Sequence, residues 1–115
     1  MEVDITTVKE HIENNGLLID VRDFDECNET GLIPTAEVIP LSQIEESFLL
    51  SEEEFEEEYD FSKPTKAESI ILYCVSGARS NAAASILTKM GYKASNYTGS
   101  FAEWKQLGNG TEFYE

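Results

Sequence analysis

The fold is decided by one stretch of the sequence, Ile70-Ile71-Leu72-Tyr73-Cys74-Val75-Ser76-Gly77-Ala78-Arg79-Ser80. Its first half is a continuous apolar run, which is typical of a buried parallel strand. Its second half is a short glycine-containing loop that starts at Cys74 and closes at Arg79. A helix is predicted directly after this loop, over residues 82–90. Because a junction between a strand and a helix N-terminus binds anions and activates thiols, we expect the chemistry of the protein here.

Strands and helices are predicted to alternate along the rest of the chain. The first helix has a capping box at Thr7 and Glu10, and an acidic helix begins with a second capping box at Ser51 and Glu54. This order predicts an α/β fold in which helices cover both faces of a mostly parallel sheet. The remaining predicted elements are strands at 17–21, 36–39, 69–73 and 94–97, and helices at 5–12 and 101–107.

The positions of the arginines also indicate an anion site. The chain has two arginines, Arg22 and Arg79, and each follows an apolar run that reads as a strand. In parallel sheets, ligands bind beyond the carboxyl ends of the strands. Arg22 and Cys74 both follow predicted strands, so we expect them to face one pocket.

A cysteine acts as a nucleophile only as its thiolate, and a free thiol with a pKa of about 8.5 is mostly protonated at neutral pH. The loop after Cys74 can direct the backbone N–H groups of residues 75–79 inward and form a nest for negative charge. Gly77 supplies the backbone freedom that such a turn needs. Arg79 either adds positive charge to the rim or pairs with a carboxylate and braces the loop, and an arginine fork suits both roles.

The charge of the chain restricts its partners. The formal net charge is −15, and residues 23–62 hold 14 acidic residues and no basic one. Nucleic-acid backbones and anionic membranes need clustered lysine and arginine, so we expect neither as a partner. The acidic helix is interpreted as a solvated face, with a docking surface for a basic protein as the alternative.

The two cysteines and the one histidine do not suggest a metal centre. Cys27 and Cys74 match no zinc spacing, and His11 has no evident partner, so we expect no metal and no cofactor. Cys27 is interpreted as an inert packed thiol rather than a resolving one. Without a secretory signal or a membrane span, the chain is expected to be cytoplasmic, or mitochondrial if a transit peptide was removed.

Taken together, these motifs resemble the rhodanese family of sulfurtransferases, from about Leu17 to Trp104. The resemblance implies a single rhodanese-like domain over residues 1–115, with a three-layer α/β/α fold and a central sheet of four to five strands. It rests on Leu18-Ile19-Asp20-Val21-Arg22, Ile33-Pro34, Ala36, Pro40-Leu41, the loop from Tyr73 to Ser80, Gly91-Tyr92, Asn96-Tyr97, Gly99 and Trp104.

The resemblance also implies an activity. Sulfane sulfur would move from thiosulfate or a persulfide donor to Cys74 and then to a thiol or cyanide acceptor. By analogy with the family, Cys74 is the catalytic residue. The expected substrate-binding residues are Val75, Ser76, Gly77, Ala78, Arg79 and Arg22.

Two features leave other functions open. Some family members carry a basic residue inside the loop for thiosulfate, whereas this chain has Val75, Ser76 and Ala78 there. Related phosphatases place five residues between cysteine and arginine, and here there are four. A phosphatase-like or arsenate-handling enzyme is therefore the second expectation, and a non-catalytic acidic docking module is the third.

Overall fold

The apolar run at residues 69–73 forms the middle strand of a parallel sheet. A computed structural model describes residues 1–112, and the last three residues of the predicted domain 1–115 lie outside the described residues. Five strands are present in this range, in the spatial order β1-β5-β4-β2-β3, and every pairing is parallel. The prediction of an α/β fold with a parallel sheet of four to five strands is confirmed. The strands are β1 (Glu2–Val3), β2 (Leu17–Asp20), β3 (Glu37–Val38), β4 (Ser69–Tyr73) and β5 (Lys93–Tyr97).

Helices cover both faces of this sheet, as the three-layer prediction requires. The side chains of α3, α4 and α5 pack into the core on one face, and those of α1, α2 and α6 pack on the other. The helices of the described residues are α1 (Ile5–Glu13), α2 (Phe24–Thr30), α3 (Leu41–Leu49), α4 (Glu52–Tyr59), α5 (Ala78–Lys89) and α6 (Ser100–Gln106).

The central strands alternate their side chains between the two cores. Leu18 and Ile71 face the α1, α2 and α6 side, whereas Ile19 and Leu72 face the α3, α4 and α5 side. All four are at most 4% exposed. Burying one such side chain stabilises the fold by about 1.5–3 kcal/mol, so an apolar run that is buried on both faces fixes β4 in the centre of the sheet.

Several boundaries differ from the sequence prediction. The capping residue of α1 is Asp4, whose carboxylate accepts the Thr7 N–H at 3.0 Å, so the predicted capping box at Thr7 is wrong. Helix α5 begins at Ala78, four residues earlier than predicted, because Gly77 adopts a left-handed φ of +95° that turns the chain into the helix. The capping box at Ser51 and Glu54 is present at the start of α4. Among residues 1–112, no helix is long and apolar enough to cross a membrane.

Candidate active site

Cys74 follows the last residue of β4 and lies at the carboxyl edge of the sheet. The residue is 1% exposed, and the exposed residues Val75, Ser76 and Ala78 surround it in the loop. Gly77 donates its N–H to Cys74 Sγ at 3.1 Å, and the Ser80 hydroxyl lies 3.4 Å from the same sulfur. The loop therefore surrounds the sulfur with hydrogen-bond donors rather than with basic side chains.

These donors favour the charged form of the thiol. Burial by itself raises the pKa of Cys74, but hydrogen bonds from the Ser80 hydroxyl and from the backbone of Ser80, Gly77 and Ser76 lower it. Together the hydrogen bonds outweigh the effect of burial, so the pKa of Cys74 lies below its ordinary value. A larger share of Cys74 is therefore thiolate at neutral pH than in an ordinary free cysteine.

Gly77 is required by the path of the loop. A side chain at this position would be strained by the φ of +95°, and its β-carbon would lie 2.6 Å from the Thr98 carbonyl oxygen. The loop can approach the turn after β5 so closely only because residue 77 has no side chain.

The end of α6 nearest the loop holds the backbone of Cys74 in place. Ser100 Oγ accepts the Cys74 N–H at 3.1 Å and donates to the Tyr97 carbonyl at 2.7 Å. The Cys74 carbonyl accepts the Phe101 N–H at 2.9 Å. Ser100 adopts a left-handed φ of +54°, and strained backbone of this kind persists where the surrounding contacts over-determine it.

Arg79 braces the loop. Its guanidinium donates to Glu26 from Nη1 at 2.7 Å and from Nη2 at 2.9 Å, which ties α5 to α2. Glu26 Oε1 also accepts the Asp23 N–H at the start of α2, at 3.2 Å. Of the two roles that the sequence allowed, the geometry supports pairing with a carboxylate, and Glu26 was not identified from the sequence.

The Arg79–Glu26 pair gives a pH-dependent contribution to stability. Hydrogen bonds from Arg79 hold the pKa of Glu26 at about 2, whereas an unfolded glutamate has a pKa of about 4.3. A carboxyl whose pKa is lowered by folding stabilises the protein above the unfolded pKa, and this contribution is lost as the pH falls through the folded pKa. We therefore expect wild type and Glu26→Gln to differ in free energy of unfolding above about pH 5 and to converge near about pH 2.

Urea denaturation at several pH values measures this difference. Both side chains are more than a third exposed, so solvent screening keeps the difference small. Glu53→Gln, at an exposed position of α4, is the matched control for the loss of one negative charge. If the difference in free energy of unfolding between wild type and Glu26→Gln stayed constant from pH 6 to pH 2, Arg79 would not be lowering the pKa of Glu26.

Arg22, which the sequence analysis expects to bind substrate, lies in the core. It is 1% exposed and pairs with Asp20, with Nη2 lying 2.7 Å from Oδ2. Its remaining donors bond to Thr30 Oγ1 at 2.8 Å and to the Gly31 carbonyl at 3.0 Å, and the guanidinium lies 4.3 Å from the centre of the Phe101 ring. The side chain turns into the core and joins β2 to α2 and α6, so it does not face the loop from solvent.

Cys27 is buried in the core beneath α2. It is 0% exposed, and burial is the main cause that raises its pKa to about 12. A thiol in this state is a poor nucleophile. The structure therefore separates an activated cysteine in the loop from an unactivated one in the core.

One cavity of the protein lies away from the loop. It has a volume of about 610 Å³ and is lined by His11, Leu17, Glu37 and Ser69, among others. Leu17 and Ser69 are the first residues of their strands, so this cavity opens at the amino ends of the sheet. Cys74 lies at the carboxyl ends, and the cavity is therefore not part of the candidate active site.

The structure is an α/β domain with a five-stranded parallel sheet that helices cover on both faces. A loop that begins with a cysteine follows the middle strand of this sheet. Residues 4–107 match the family model of the rhodanese-like domain. The chain belongs to the rhodanese family.

Three similar proteins illustrate the family. The chain is 48% identical over 93 residues to a Schizosaccharomyces pombe protein named "Putative thiosulfate sulfurtransferase, mitochondrial", covering 80% of this chain and 65% of that protein. It is 34% identical over 89 residues to a human protein named thiosulfate:glutathione sulfurtransferase, covering 76% of each. The solved structure of the human single-domain sulfurtransferase TSTD1 superposes with a TM-score of 0.87 at 28% identity, covering 91% of this chain and 95% of that one. The chain thus spans just under two thirds of the length of the Schizosaccharomyces pombe relative.

Proposed function

We propose that this protein is a thiosulfate sulfurtransferase in which Cys74 carries the transferred sulfur as a persulfide. The observation that carries the proposal is the loop geometry, because hydrogen bonds from Gly77 and Ser80 reach the sulfur and lower the pKa of Cys74. Membership of the rhodanese family and the names of the relatives support the same activity.

The reaction proceeds in two steps through Cys74. In the first, the thiolate attacks the outer sulfur of thiosulfate, the S–S bond of the donor breaks, and its electron pair leaves on sulfite. In the second, an acceptor thiolate or cyanide attacks the outer sulfur of the Cys74 persulfide. The persulfide S–S bond breaks, the product is a new persulfide or thiocyanate, and Cys74 is released as its thiolate.

Donor binding in this site relies on the backbone rather than on cationic side chains. Arg22 is buried and paired with Asp20, and Arg79 is paired with Glu26. The loop residues Val75, Ser76 and Ala78 carry no charge. The N–H groups of the loop and the Ser80 hydroxyl are therefore the groups that stabilise negative charge on the sulfur, which suits hydropersulfide donors as well as thiosulfate.

The acceptor is proposed to be a small thiol or cyanide. The human relative is named for transfer from thiosulfate to glutathione, and a small thiol is consistent with a sulfur that lies at the base of a short loop. We propose a cytoplasmic location, with a mitochondrial one as the alternative that the name of the Schizosaccharomyces pombe relative fits. A basic protein partner at the glutamates of α4 is a further proposal.

Intact-protein mass spectrometry tests the persulfide directly. After incubation with thiosulfate and removal of small molecules, we expect the wild type to gain the mass of one sulfur atom and to lose it on addition of cyanide. Peptide mapping should place the added sulfur on Cys74 and not on Cys27, because Cys27 is buried and its pKa is raised to about 12.

Two control incubations make the result specific. Sulfite has no sulfane sulfur to donate and should add no mass, and an aryl phosphate tests the phosphatase-like alternative. Absence of the added sulfur with both thiosulfate and a hydropersulfide donor would overturn the proposal, and so would its location on Cys27.

A further inference from the structure

Four residues form a closed ring of hydrogen bonds around the reactive sulfur. Gly77 donates its N–H to Cys74 Sγ at 3.1 Å, and its carbonyl accepts from Asn96 Nδ2 at 3.2 Å. Asn96 Oδ1 accepts the Ser80 hydroxyl at 2.6 Å, and Ser80 Oγ lies 3.4 Å from Cys74 Sγ. The ring joins the loop after β4 to α5 and β5. Neither Ser80 nor Asn96 is among the site residues predicted from the sequence.

The orientation of the Ser80 hydroxyl must depend on the charge of Cys74. The Asn96 amide donates from Nδ2 to Gly77, so its oxygen faces Ser80 and can only accept. Ser80 has one hydroxyl hydrogen, and two acceptors compete for it when the sulfur is a thiolate. With a neutral thiol, Ser80 donates to Asn96 and can accept from the S–H. When Cys74 is a thiolate, Ser80 donates the same hydrogen to Cys74 Sγ instead.

We propose that Ser80, held by Asn96, is a positioning residue that stabilises the Cys74 thiolate by turning its hydroxyl from Asn96 to the sulfur. The inference rests on the proposed function of Cys74 and deepens it. Before the first step of sulfur transfer, the thiol proton leaves to solvent and the Ser80 hydroxyl turns its hydrogen to the sulfur. In the second step, Cys74 is the leaving group and departs as a thiolate, so the same hydrogen bond stabilises the departing charge.

The surroundings make this hydrogen bond effective. Ser80 is 0% exposed and Asn96 is 2% exposed, so both are shielded from bulk water. A hydrogen bond to an ionised group is stronger than one between neutral groups. It also gains strength where the local dielectric constant is low.

The other groups near the sulfur do not replace Ser80. From α5, the charged neighbour of Cys74 is Arg79, whose charge is partly offset by Glu26 of α2. From β5 and α6, the neighbours are Asn96 and Ser100, which carry no charge and do not titrate in the accessible pH range. Variants that test Ser80 must therefore leave Arg79 unchanged, so that any shift in the pKa of Cys74 comes from the Ser80 hydroxyl.

The pH profile of iodoacetamide alkylation tests the inference without any sulfur transfer. Alkylation of Cys74, followed by mass spectrometry, has its midpoint at the pKa of the thiol. We expect Ser80→Ala to move this midpoint up by about one pH unit, and so to slow alkylation roughly tenfold below it. Ser80→Thr keeps the hydroxyl and is expected to restore most of the rate.

A buried serine elsewhere provides the matched control. Ser47 in α3 is 1% exposed, and its hydroxyl donates to the Ile44 carbonyl of the same helix at 2.8 Å. Ser47→Ala removes a comparable buried hydrogen bond and should leave the Cys74 midpoint unchanged. If Ser80→Ala and Ser47→Ala gave the same midpoint as the wild type, the inference would be wrong.

A second measurement uses the wild type and does not depend on the folding of a variant. The side-chain amide resonances of Asn96 should titrate with the Cys74 midpoint, because Asn96 Oδ1 loses the Ser80 hydrogen bond when the thiolate forms. The Asn109 side-chain amide, which donates to the Trp104 carbonyl, should not titrate with it. Asn96 resonances that do not change through the Cys74 midpoint would overturn the inference.

These results are separable from the test of the proposed function. Alkylation and amide titration report the charge of Cys74, whereas sulfur loading reports whether Cys74 carries a persulfide. A shifted alkylation midpoint in Ser80→Ala together with absent loading in the wild type would support the ring of hydrogen bonds and reject the persulfide.

Discussion

Cys74→Ser is expected to lose thiosulfate-to-cyanide sulfur transfer while keeping the fold. A serine hydroxyl is far less acidic than a thiol, and its oxygen does not form the S–S bond on which the proposed two-step transfer depends. The loss of the covalent path should lower the rate at least about a thousandfold, toward the uncatalysed background. The serine oxygen can accept the Gly77 N–H that Cys74 Sγ accepts, so the loop should keep its conformation. Colorimetric detection of thiocyanate measures the rate, and circular dichroism measures the fold.

Cys27→Ala is the matched control for this experiment. Cys27 is the other cysteine of the chain and lies 0% exposed in the core. The substitution removes a buried sulfur and should lower stability, but turnover per folded molecule should stay at the wild-type level. Retention of turnover in Cys74→Ser, or its loss in folded Cys27→Ala, would show that the wrong cysteine has been assigned.

The central part of the fold could be predicted because its signals are local. The apolar run of β4 and the apolar positions of α5 each specify one element without help from distant residues. The short strand β1 is different. Its two residues form a strand only by pairing with β5, so their structure depends on a contact nearly the whole length of the chain away.

Helix α2 was missed for a related reason. Its sequence, Phe-Asp-Glu-Cys-Asn-Glu-Thr, is short and mostly polar, with weak helix formers at several positions. The Asp23–Glu26 capping box at its start is visible in the sequence, but the burial of Cys27 and the pairing of Glu26 with Arg79, which also hold the helix, are not. Helices whose stability comes from tertiary packing rather than from propensity are hard to recognise in a sequence.

Cys74 and Gly77 could be proposed as site residues because the chemistry of the loop is contiguous in sequence. The position of Arg22 after a strand, in contrast, does not reveal the direction of its side chain, which the structure places in the core. Asp20 and Arg22 are two residues apart on an extended segment, and this spacing places both side chains on one face. An Asp–x–Arg pattern inside an apolar strand could therefore have been interpreted as a buried pair. Asn96 could likewise have been interpreted as a buried polar residue, because it lies two residues after Ala94 in β5 and therefore on the same buried face.

Arg22→Met is expected to destabilise the protein strongly and to leave the KM for thiosulfate unchanged. The substitution leaves the carboxylate of Asp20 without its ionic partner. This carboxylate is 0% exposed and accepts three side-chain hydrogen bonds from Arg22. Removing one partner of a buried ion pair costs about 3–5 kcal/mol, and a domain has only about 5–15 kcal/mol in total. Urea denaturation should therefore show a large loss in the free energy of unfolding.

Two further variants separate the bracing role of Arg22 from the substrate-binding role that its sequence position suggested. In the double variant Asp20→Leu/Arg22→Met, no buried charge is left unpaired, so part of the lost stability should return. Lys89→Met removes an exposed cation from α5 and should change stability little. If Arg22→Met raised the KM for thiosulfate and left the free energy of unfolding unchanged, Arg22 would bind the donor after all. Because its donors are already bonded to Asp20, Thr30 and Gly31, we expect the opposite result: a large loss of stability with donor binding intact in the folded fraction.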